Sequence, residues 1–182
     1  MRIISGKYRG KSLLYPKDPA LRPTQDRVKE AMFGIVQFQV PDAVVLDLFC
    51  GTGSLGIEAL SCGAKFCLFV DDDAESRALV RENVETMKLT GVSKIWRRDA
   101  ADLGPLGSGS GGPFNLAFID PPYRKRLADK CLASLKAGGW LAPGAIVVVE
   151  TAADETLDHA GYELLDTRAY GETSVRLLSP AE

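Results

Sequence analysis

The stretch "VVLDLFCGTGSLGIEAL", residues 44–60, decides the fold. Its first six residues form a mostly apolar run, which is typical of a strand buried on both faces. A glycine-rich turn follows, and after it the apolar residues recur at helical spacing. A strand, a glycine-rich turn and a helix in this order predict the first half of a βαβ unit.

Apolar strands and helices continue to alternate along the chain. We predict strands in "FCLFVD", "KIWRRD", "NLAFID" and "AIVVVE", and helices in "AESRALVRENVETMKL" and "LADKCLASLK". The tail "YELLDTRAYGETSVRLL" predicts an antiparallel hairpin around Gly171. Together these elements predict an α/β fold, with a mostly parallel seven-stranded sheet, helices on both faces and a C-terminal antiparallel hairpin.

The first 40 residues differ from the rest in charge. They hold eight Lys and Arg against three Asp and Glu, a net charge of +5, which leaves −7 for the remainder. We predict a short hairpin in "RIISGKYRGKSLLYP" and a helix in "RPTQDRVKEAMFGIV", with Thr24 as its cap. We interpret residues 1–40 as a basic extension that binds a polyanion, and residues 41–182 as the main domain.

Several classes of protein and site are disfavoured. No run approaches the roughly 18 apolar residues of a membrane helix, and the N-terminus lacks the apolar core of a signal peptide, so we expect a cytoplasmic protein. No surplus apolar stripe indicates an obligate partner, so we expect a monomer. The four cysteines form no C-x-x-C pair and His159 is the only histidine, so we expect reduced thiols and no metal site. The Gly/Ser-rich residues 103–113 lack the Gly-Lys-Ser/Thr of a phosphate-binding loop and predict a flexible connection.

Three aspartates at the ends of successive predicted strands indicate the cofactor. The G-x-G-x-x-G motif that begins at Gly51 would alone favour a dinucleotide. Asp47 lies four residues earlier, however, where a carboxylate would repel a pyrophosphate. It suits the amino end of S-adenosylmethionine, and Asp71 and Asp99 suit the ribose and the adenine, because such sheets bind ligands beyond the carboxyl ends of their strands.

The stretch "AFIDPPYRKR", residues 117–126, adds a chemical function to the same edge. The exocyclic amino group of a nucleobase is a poor nucleophile, because its lone pair is delocalised into the ring. Asp120 and the Pro121 carbonyl can accept its two N–H bonds, and the proline ring has no N–H that competes. Tyr123 can stack on a flipped or unpaired base. The pattern therefore favours methyl transfer to an amino group.

Two sets of motifs resemble known families. "DLFCGTGSLG" followed by "DPPY" resembles the class I, S-adenosylmethionine-dependent amino methyltransferases. "RIISGKYRGKSL", "LRPTQDRVKEAMF" and "VRLL" narrow the resemblance to the RsmD family of bacterial 16S rRNA guanine-N2 methyltransferases. The resemblance spans nearly the whole chain. It implies S-adenosylmethionine as cofactor and a guanine of 16S rRNA as substrate, either in free rRNA or in a small-subunit assembly particle.

The resemblance and the charge distribution assign roles to individual residues. The catalytic motif falls on Asp120, Pro121, Pro122 and Tyr123. The implied cofactor-binding residues are Asp47, Phe49, Gly51, Gly53, Asp71, Asp99 and Ala100. The cations expected to contact RNA are Arg2, Lys7, Arg9, Lys11, Arg22, Arg124 and Lys125.

Alternative functions share parts of this pattern. An amino methyltransferase that acts on adenine N6 or cytosine N4 has the same catalytic motif, although DNA enzymes usually add a target-recognition domain. A cytosine-C5 methyltransferase needs a cysteine nucleophile, typically beside proline, and no cysteine here neighbours a proline. The carboxylate at Asp47 disfavours a dinucleotide oxidoreductase. An RNA-binding module with a degenerate cofactor site is disfavoured because the motif residues are intact.

Overall fold

A computed structural model describes residues 1–17 and 25–182. Its strands are β1 (Val44–Leu48), β2 (Phe66–Val70), β3 (Ser93–Trp96), β4 (Phe114–Ile119), β5 (Leu141–Ala152), β6 (Tyr162–Tyr170) and β7 (Thr173–Pro180). Its α-helices are α1 (Asp26–Ile35), α2 (Ser54–Ser61), α3 (Ala74–Thr86) and α4 (Leu127–Gly138), and a 3-10 turn spans Thr90–Val92.

All seven strands belong to one sheet in the order β3-β2-β1-β4-β5-β7-β6. The first five strands pair in parallel, and β7 pairs antiparallel with both β5 and β6. Helices α1, α2 and α3 pack on one face of the sheet, and α4 packs on the other. The predicted fold class and the C-terminal hairpin are therefore confirmed.

The N-terminal hairpin is much reduced. Residues 1–15 form a loop with one antiparallel bridge between Arg2 and Ser12, rather than two regular strands. Backbone hydrogen bonds still cross this segment, because the Ile3 N–H donates to the Lys11 carbonyl and the Leu13 N–H to the Met1 carbonyl, both at 2.9 Å. The turn between them bonds to α2, where the Lys7 N–H donates to the Ser61 carbonyl at 2.8 Å. A side chain at Gly6 would come within 2.1 Å of the same carbonyl, so this contact requires glycine. The predicted cap Thr24 lies outside the described residues.

A buried ion pair joins the N-terminal segment to the sheet domain. The side chains of Lys29 and Glu58 are both fully buried, and Nζ lies 3.2 Å from Oε1. Glu58 also accepts hydrogen bonds from the backbone of Ile4 and Ser5, and Lys29 donates to Ser54 Oγ at 3.1 Å. Because every residue of α2 is buried, this helix is enclosed between the sheet and the N-terminal segment.

Asn83 of α3 makes a second connection near the glycine-rich turn. Its side-chain amide accepts a hydrogen bond from the Leu14 N–H and donates to the carbonyls of Leu14 and Thr52. Residues 1–17 therefore contact both ends of α2, since Thr52 precedes this helix and Ser61 ends it.

The Gly/Ser-rich residues 103–113 pack against the turn that follows α4. The Trp140 Nε1–H donates to the Gly104 carbonyl at 2.8 Å, and the Leu106 N–H donates to the Gly138 carbonyl at 2.9 Å. Leu103 and Ser110 are buried. The flexibility predicted for this connection stays a prediction.

Candidate active site

The carboxyl ends of the parallel strands bring several acids to one edge of the sheet. Asp47 lies within β1, Asp71 follows β2 directly, and Asp120 follows β4 directly. Asp120 and Asp71 are close enough to Asp47 to act on its carboxyl electrostatically. The structure thus brings together three of the four aspartates singled out from the sequence, at the edge where open α/β sheets bind ligands.

The glycine-rich turn after β1 is held by Asp71. The Gly51 N–H donates to Asp71 Oδ2 at 3.0 Å, and Asp71 Oδ1 accepts from the Asp73 N–H at 3.0 Å. Phe49 and Gly51 both have left-handed backbones, with φ of 56° and 54°. For Phe49 this conformation costs about 1–2 kcal/mol, so the turn is held in shape by its surroundings.

The three glycines of the motif have different roles. A side chain at Gly51 would meet nothing within 4 Å, so this glycine leaves open space beside the acids. A Cβ at Gly53 would lie 2.5 Å from Val80, and one at Gly56 would lie 2.4 Å from Phe69. Gly53 and Gly56 therefore allow α2 to pack closely on its neighbours. The sequence motif alone could not show whether a glycine serves this packing or the binding of a ligand.

Asp47 is more deeply buried than its predicted role suggested. Its residue is 1% exposed, and Oδ2 accepts a hydrogen bond from the Gly56 N–H at 2.9 Å. Burial raises the pKa of this carboxyl well above its usual value, and the charges of Asp120 and Asp71 raise it further, although the Gly56 bond opposes them. Asp47 thus helps to hold the start of α2, and its contact with a cofactor stays a prediction.

Asp99 and Ala100 follow β3 at the same edge of the sheet. Ala100 is buried, whereas Asp99 is exposed and accepts a hydrogen bond from the Ala101 N–H at 2.9 Å. This bond fixes a turn beside the acids, and a role for Asp99 in binding adenine stays a prediction.

The Asp-Pro-Pro-Tyr motif forms a corner after β4. Asp120 is half-buried, Pro121 is buried and Pro122 is exposed. The Tyr123 hydroxyl donates to Glu150 Oε1 at 2.9 Å and lies 3.0 Å from Thr173 Oγ1. Burial raises the pKa of this phenol above its usual value, so it stays protonated and keeps its hydroxyl hydrogen for donation.

Sequence reasoning missed Glu150 and Thr173. Glu150 ends the apolar run "AIVVVE", which is the same signal that identified Asp71 and Asp120, so the sequence did contain the information. Thr173 carried no such signal, because its place beside Tyr123 depends on the pairing of β7 with β5.

Two of the three cations that follow the Asp-Pro-Pro-Tyr motif form ion pairs within the chain. Arg124 pairs with Asp154 at 3.0 Å, with both side chains more than half exposed, and Arg126 pairs with Asp129. Lys125 is exposed. Exposed ion pairs contribute at most about 1 kcal/mol, so a phosphate can replace these partners at little cost.

The cations of the N-terminal loop lie apart from this corner. Lys7 and Lys11 place their ammonium groups 5.4 and 5.2 Å from the centre of the Tyr8 ring, and Arg9 is exposed between them. Arg2 lies 3.8 Å from Asp26. Lys7 lies at the C-terminal end of α2, where its N–H donates to the Ser61 carbonyl, whereas the glycine-rich turn precedes the N-terminal end of this helix. Arg22 lies outside the described residues.

Two absences hold for residues 1–17 and 25–182. No group of three or more His, Cys, Asp and Glu in these ranges could hold a metal ion. No helix in the same ranges is both long and apolar enough to cross a membrane.

The strand order, the glycine-rich turn after β1 and the acid after β2 define a class I methyltransferase fold. The chain belongs to the family described as Conserved hypothetical protein 95, which matches residues 1–179.

Relatives of known name and structure agree with this assignment. The chain is 36% identical over 180 residues to "Ribosomal RNA small subunit methyltransferase D" of Escherichia coli K12, covering 97% of this chain and 88% of the relative. It is 34% identical to the protein of the same name from Haemophilus influenzae, covering 97% and 92%. The solved structure "Putative methyltransferase yhhF from Escherichia coli" superposes with a TM-score of 0.83 at 30% identity, covering 99% and 97%. The resemblance to the RsmD family is therefore confirmed.

Proposed function

We propose that this protein is an S-adenosylmethionine-dependent methyltransferase that modifies the exocyclic N2 of a guanine in 16S rRNA. The observation that carries the proposal is the Asp120-Pro121-Pro122-Tyr123 corner beside the open glycine-rich turn, on a methyltransferase fold. The relatives named small-subunit rRNA methyltransferases support the choice of substrate. The choice of guanine N2 rests on the resemblance of the motifs.

The residues of the corner would hold and orient the amino group. Asp120 and the Pro121 carbonyl accept its two N–H bonds, which turns the nitrogen lone pair out of conjugation with the base. Tyr123 stacks on the ring and holds it in the pocket. S-adenosylmethionine, when bound, supplies an electrophilic methyl group on its sulfonium. Catalysis by the protein is therefore mainly positioning and electrostatic stabilisation.

The residues at the turn fit this cofactor. The charges of Asp71 and Asp120, which act on the buried Asp47 carboxyl, create a negative potential where a ligand with an ammonium and a sulfonium would bind. The open space at Gly51 leaves room for the ligand against the backbone. A pyrophosphate would face the same acids and would be repelled.

We expect S-adenosylmethionine and S-adenosylhomocysteine to bind, and NAD not to bind. Asp71→Ala should weaken S-adenosylmethionine binding about 10- to 100-fold, because it removes a charged acceptor and frees the Gly51 N–H. Isothermal titration calorimetry measures all three affinities. Glu163→Ala, at an exposed glutamate of β6, is the control that should change none of them.

The affinity for S-adenosylmethionine should also depend on pH. Burial raises the pKa of the Asp71 carboxyl, and its bonds from Asp73 and Gly51 oppose this only in part. The protonated Asp71 carboxyl does not attract a cation, so the affinity for S-adenosylmethionine should fall as the pH falls through the raised pKa of Asp71. Tight binding of NAD with no response to S-adenosylmethionine would overturn this assignment of the cofactor.

We propose that residues 1–15, which we call the basic loop, bind rRNA through phosphate contacts. Lys7, Arg9 and Lys11 lie together on the outer side of α2, and Arg124 and Lys125 lie beside the catalytic corner.

We expect rRNA binding to weaken steeply with salt, and the basic loop to account for part of the slope. Replacing Lys7, Arg9 and Lys11 together with Ala should reduce the slope of log K against log salt by about two to three, because each lost phosphate contact removes roughly 0.7–0.9. Fluorescence anisotropy with a 16S rRNA fragment at several salt concentrations measures it.

Lys130→Ala is the matched control, because Lys130 is exposed on α4 at the opposite face of the sheet. This variant should keep the wild-type slope. An unchanged slope in the triple variant would mean that the RNA binds elsewhere.

We further propose a cytoplasmic monomer that acts on free 16S rRNA or on a small-subunit assembly particle. Incubation of the protein with S-adenosylmethionine and unmodified small-subunit particles, followed by nucleoside mass spectrometry, tests the proposal. The expected product is N2-methylguanosine. N6-methyladenosine or N4-methylcytidine would keep the chemistry and contradict the substrate.

A further inference from the structure

Glu150 is a buried carboxylate beside the catalytic corner. It lies in β5 at 5% exposure, one residue beyond Val149, which pairs with Ile119 of β4. Asp120 is likewise one residue beyond Ile119, so the parallel register places Glu150 and Asp120 side by side at the edge of the sheet. Burying a carboxylate is costly unless it is hydrogen-bonded, so its partner indicates its role.

The partner of Glu150 is the catalytic tyrosine. The Tyr123 hydroxyl has one hydrogen, and it donates this hydrogen to Glu150 Oε1 at 2.9 Å. The phenol oxygen then accepts from the Thr173 hydroxyl, whose Oγ1 lies 3.0 Å away. The tip of the ring is thus held from both β5 and β7.

The backbone after Tyr123 is fastened to the same strand. The Arg124 N–H donates to Glu155 Oε1, and Glu155 Oε2 accepts from the Ala152 N–H at 2.7 Å. Arg124 has a left-handed φ of 63°, which a non-glycine residue adopts only when its surroundings impose it. Tyr123 is therefore fixed at its hydroxyl and at the next peptide, and the position of its ring is defined.

We propose that Glu150 is a positioning residue, which holds the Tyr123 ring in the place where it stacks on the target base. This inference rests on the proposed function, because the base is the methyl acceptor. The bond to a carboxylate is stronger than one between neutral groups, and the phenol stays protonated to donate it. Glu150 acts through Tyr123, and it differs in this from Asp120, which contacts the amino group.

The test measures kcat and KM for methylation of small-subunit particles by four variants: Glu150→Ala, Glu150→Gln, Tyr123→Phe and the double variant Glu150→Ala/Tyr123→Phe. Glu150→Ala should lower kcat about tenfold, because the ring loses its fixed position, and should change KM less than twofold, because phosphate contacts supply most of the affinity. Glu150→Gln should stay within about threefold of wild type, since its amide oxygen still accepts the bond. The control Glu163→Ala should have wild-type kinetics.

The double variant shows whether Glu150 acts through the tyrosine. It should be no slower than the slower single variant, because both changes remove the same hydrogen bond. Losses that multiply in the double variant, or a Glu150→Gln variant as slow as Glu150→Ala, would overturn the inference.

Urea unfolding of the same variants separates this inference from the proposed function. Coupling between Glu150 and Tyr123 in the unfolding constants reports the hydrogen bond without any substrate. If the bond is present but wild type methylates no rRNA, the proposed function has failed and the positioning role fails with it. If wild type is active but the two residues show no coupling, only the positioning role has failed.

Discussion

The Asp120→Ala protein is expected to lose methyl transfer by a factor of about 10² to 10³, which is typical when one electrostatic or hydrogen-bonding group of an active site is removed. The carboxylate is needed most when the amino nitrogen becomes tetrahedral, so its loss should appear in kcat rather than in KM. Single-turnover measurement of methyl transfer to small-subunit particles reads this rate directly.

Two controls isolate the chemistry of Asp120. Asp120→Asn keeps one acceptor oxygen and should retain more activity than the alanine variant. S-adenosylhomocysteine has no sulfonium charge, so its affinity for the Asp120→Ala variant should differ from the wild-type value by only a few-fold. Such a result would show that the cofactor pocket of the variant is intact. An alanine variant that transfers methyl groups at the wild-type rate would mean that the Pro-Pro corner is only a turn.

Breaking the buried ion pair between Lys29 and Glu58 should destabilise the protein by about 3–5 kcal/mol, because the remaining charge is left without its partner in the interior. Glu58→Ala is expected to cost more than Lys29→Met. It strands the Lys29 ammonium and also removes the acceptor for the backbone of Ile4 and Ser5. Equilibrium unfolding in urea gives the free energy of unfolding of each variant.

An exposed ion pair provides the comparison. Arg168 and Asp166 lie 3.1 Å apart on β6, both partly exposed, so Arg168→Ala should leave the free energy of unfolding close to that of wild type. Hydrogen exchange at the amides of Ile4 and Ser5 should accelerate in Glu58→Ala. If Glu58→Ala is as stable as wild type, the N-terminal segment is held by its apolar contacts alone.

Much of the sheet and of its acidic edge could be predicted from the sequence. The apolar runs located the strands because parallel strands are buried on both faces. Asp71 and Asp120 stood out because each ends such a run, and Asp47 because it precedes the glycine-rich turn by four residues. The prediction for β5 was shorter than Leu141–Ala152, because the start of this strand is partly exposed and includes Pro143 and Gly144.

Other features depend on contacts between distant segments. Lys29 looked like one more surface cation of the basic extension, and only its packing against α2 shows that its charge is buried and paired. Gly53 was expected to bind the cofactor, but a side chain there would meet Val80 of α3 and Phe69 of β2. The predicted N-terminal hairpin is irregular, with one bridge between Arg2 and Ser12, because part of its backbone bonds to α2.

Nucleoside mass spectrometry of small-subunit rRNA from a strain that lacks this gene tests the central claim most directly. The claim predicts that one N2-methylguanosine disappears from the 16S rRNA, and that it returns when the wild-type gene is supplied but not when the Asp120→Ala gene is supplied. An unchanged content of N2-methylguanosine in the deletion strain, with the loss of a methyl group elsewhere, would contradict it.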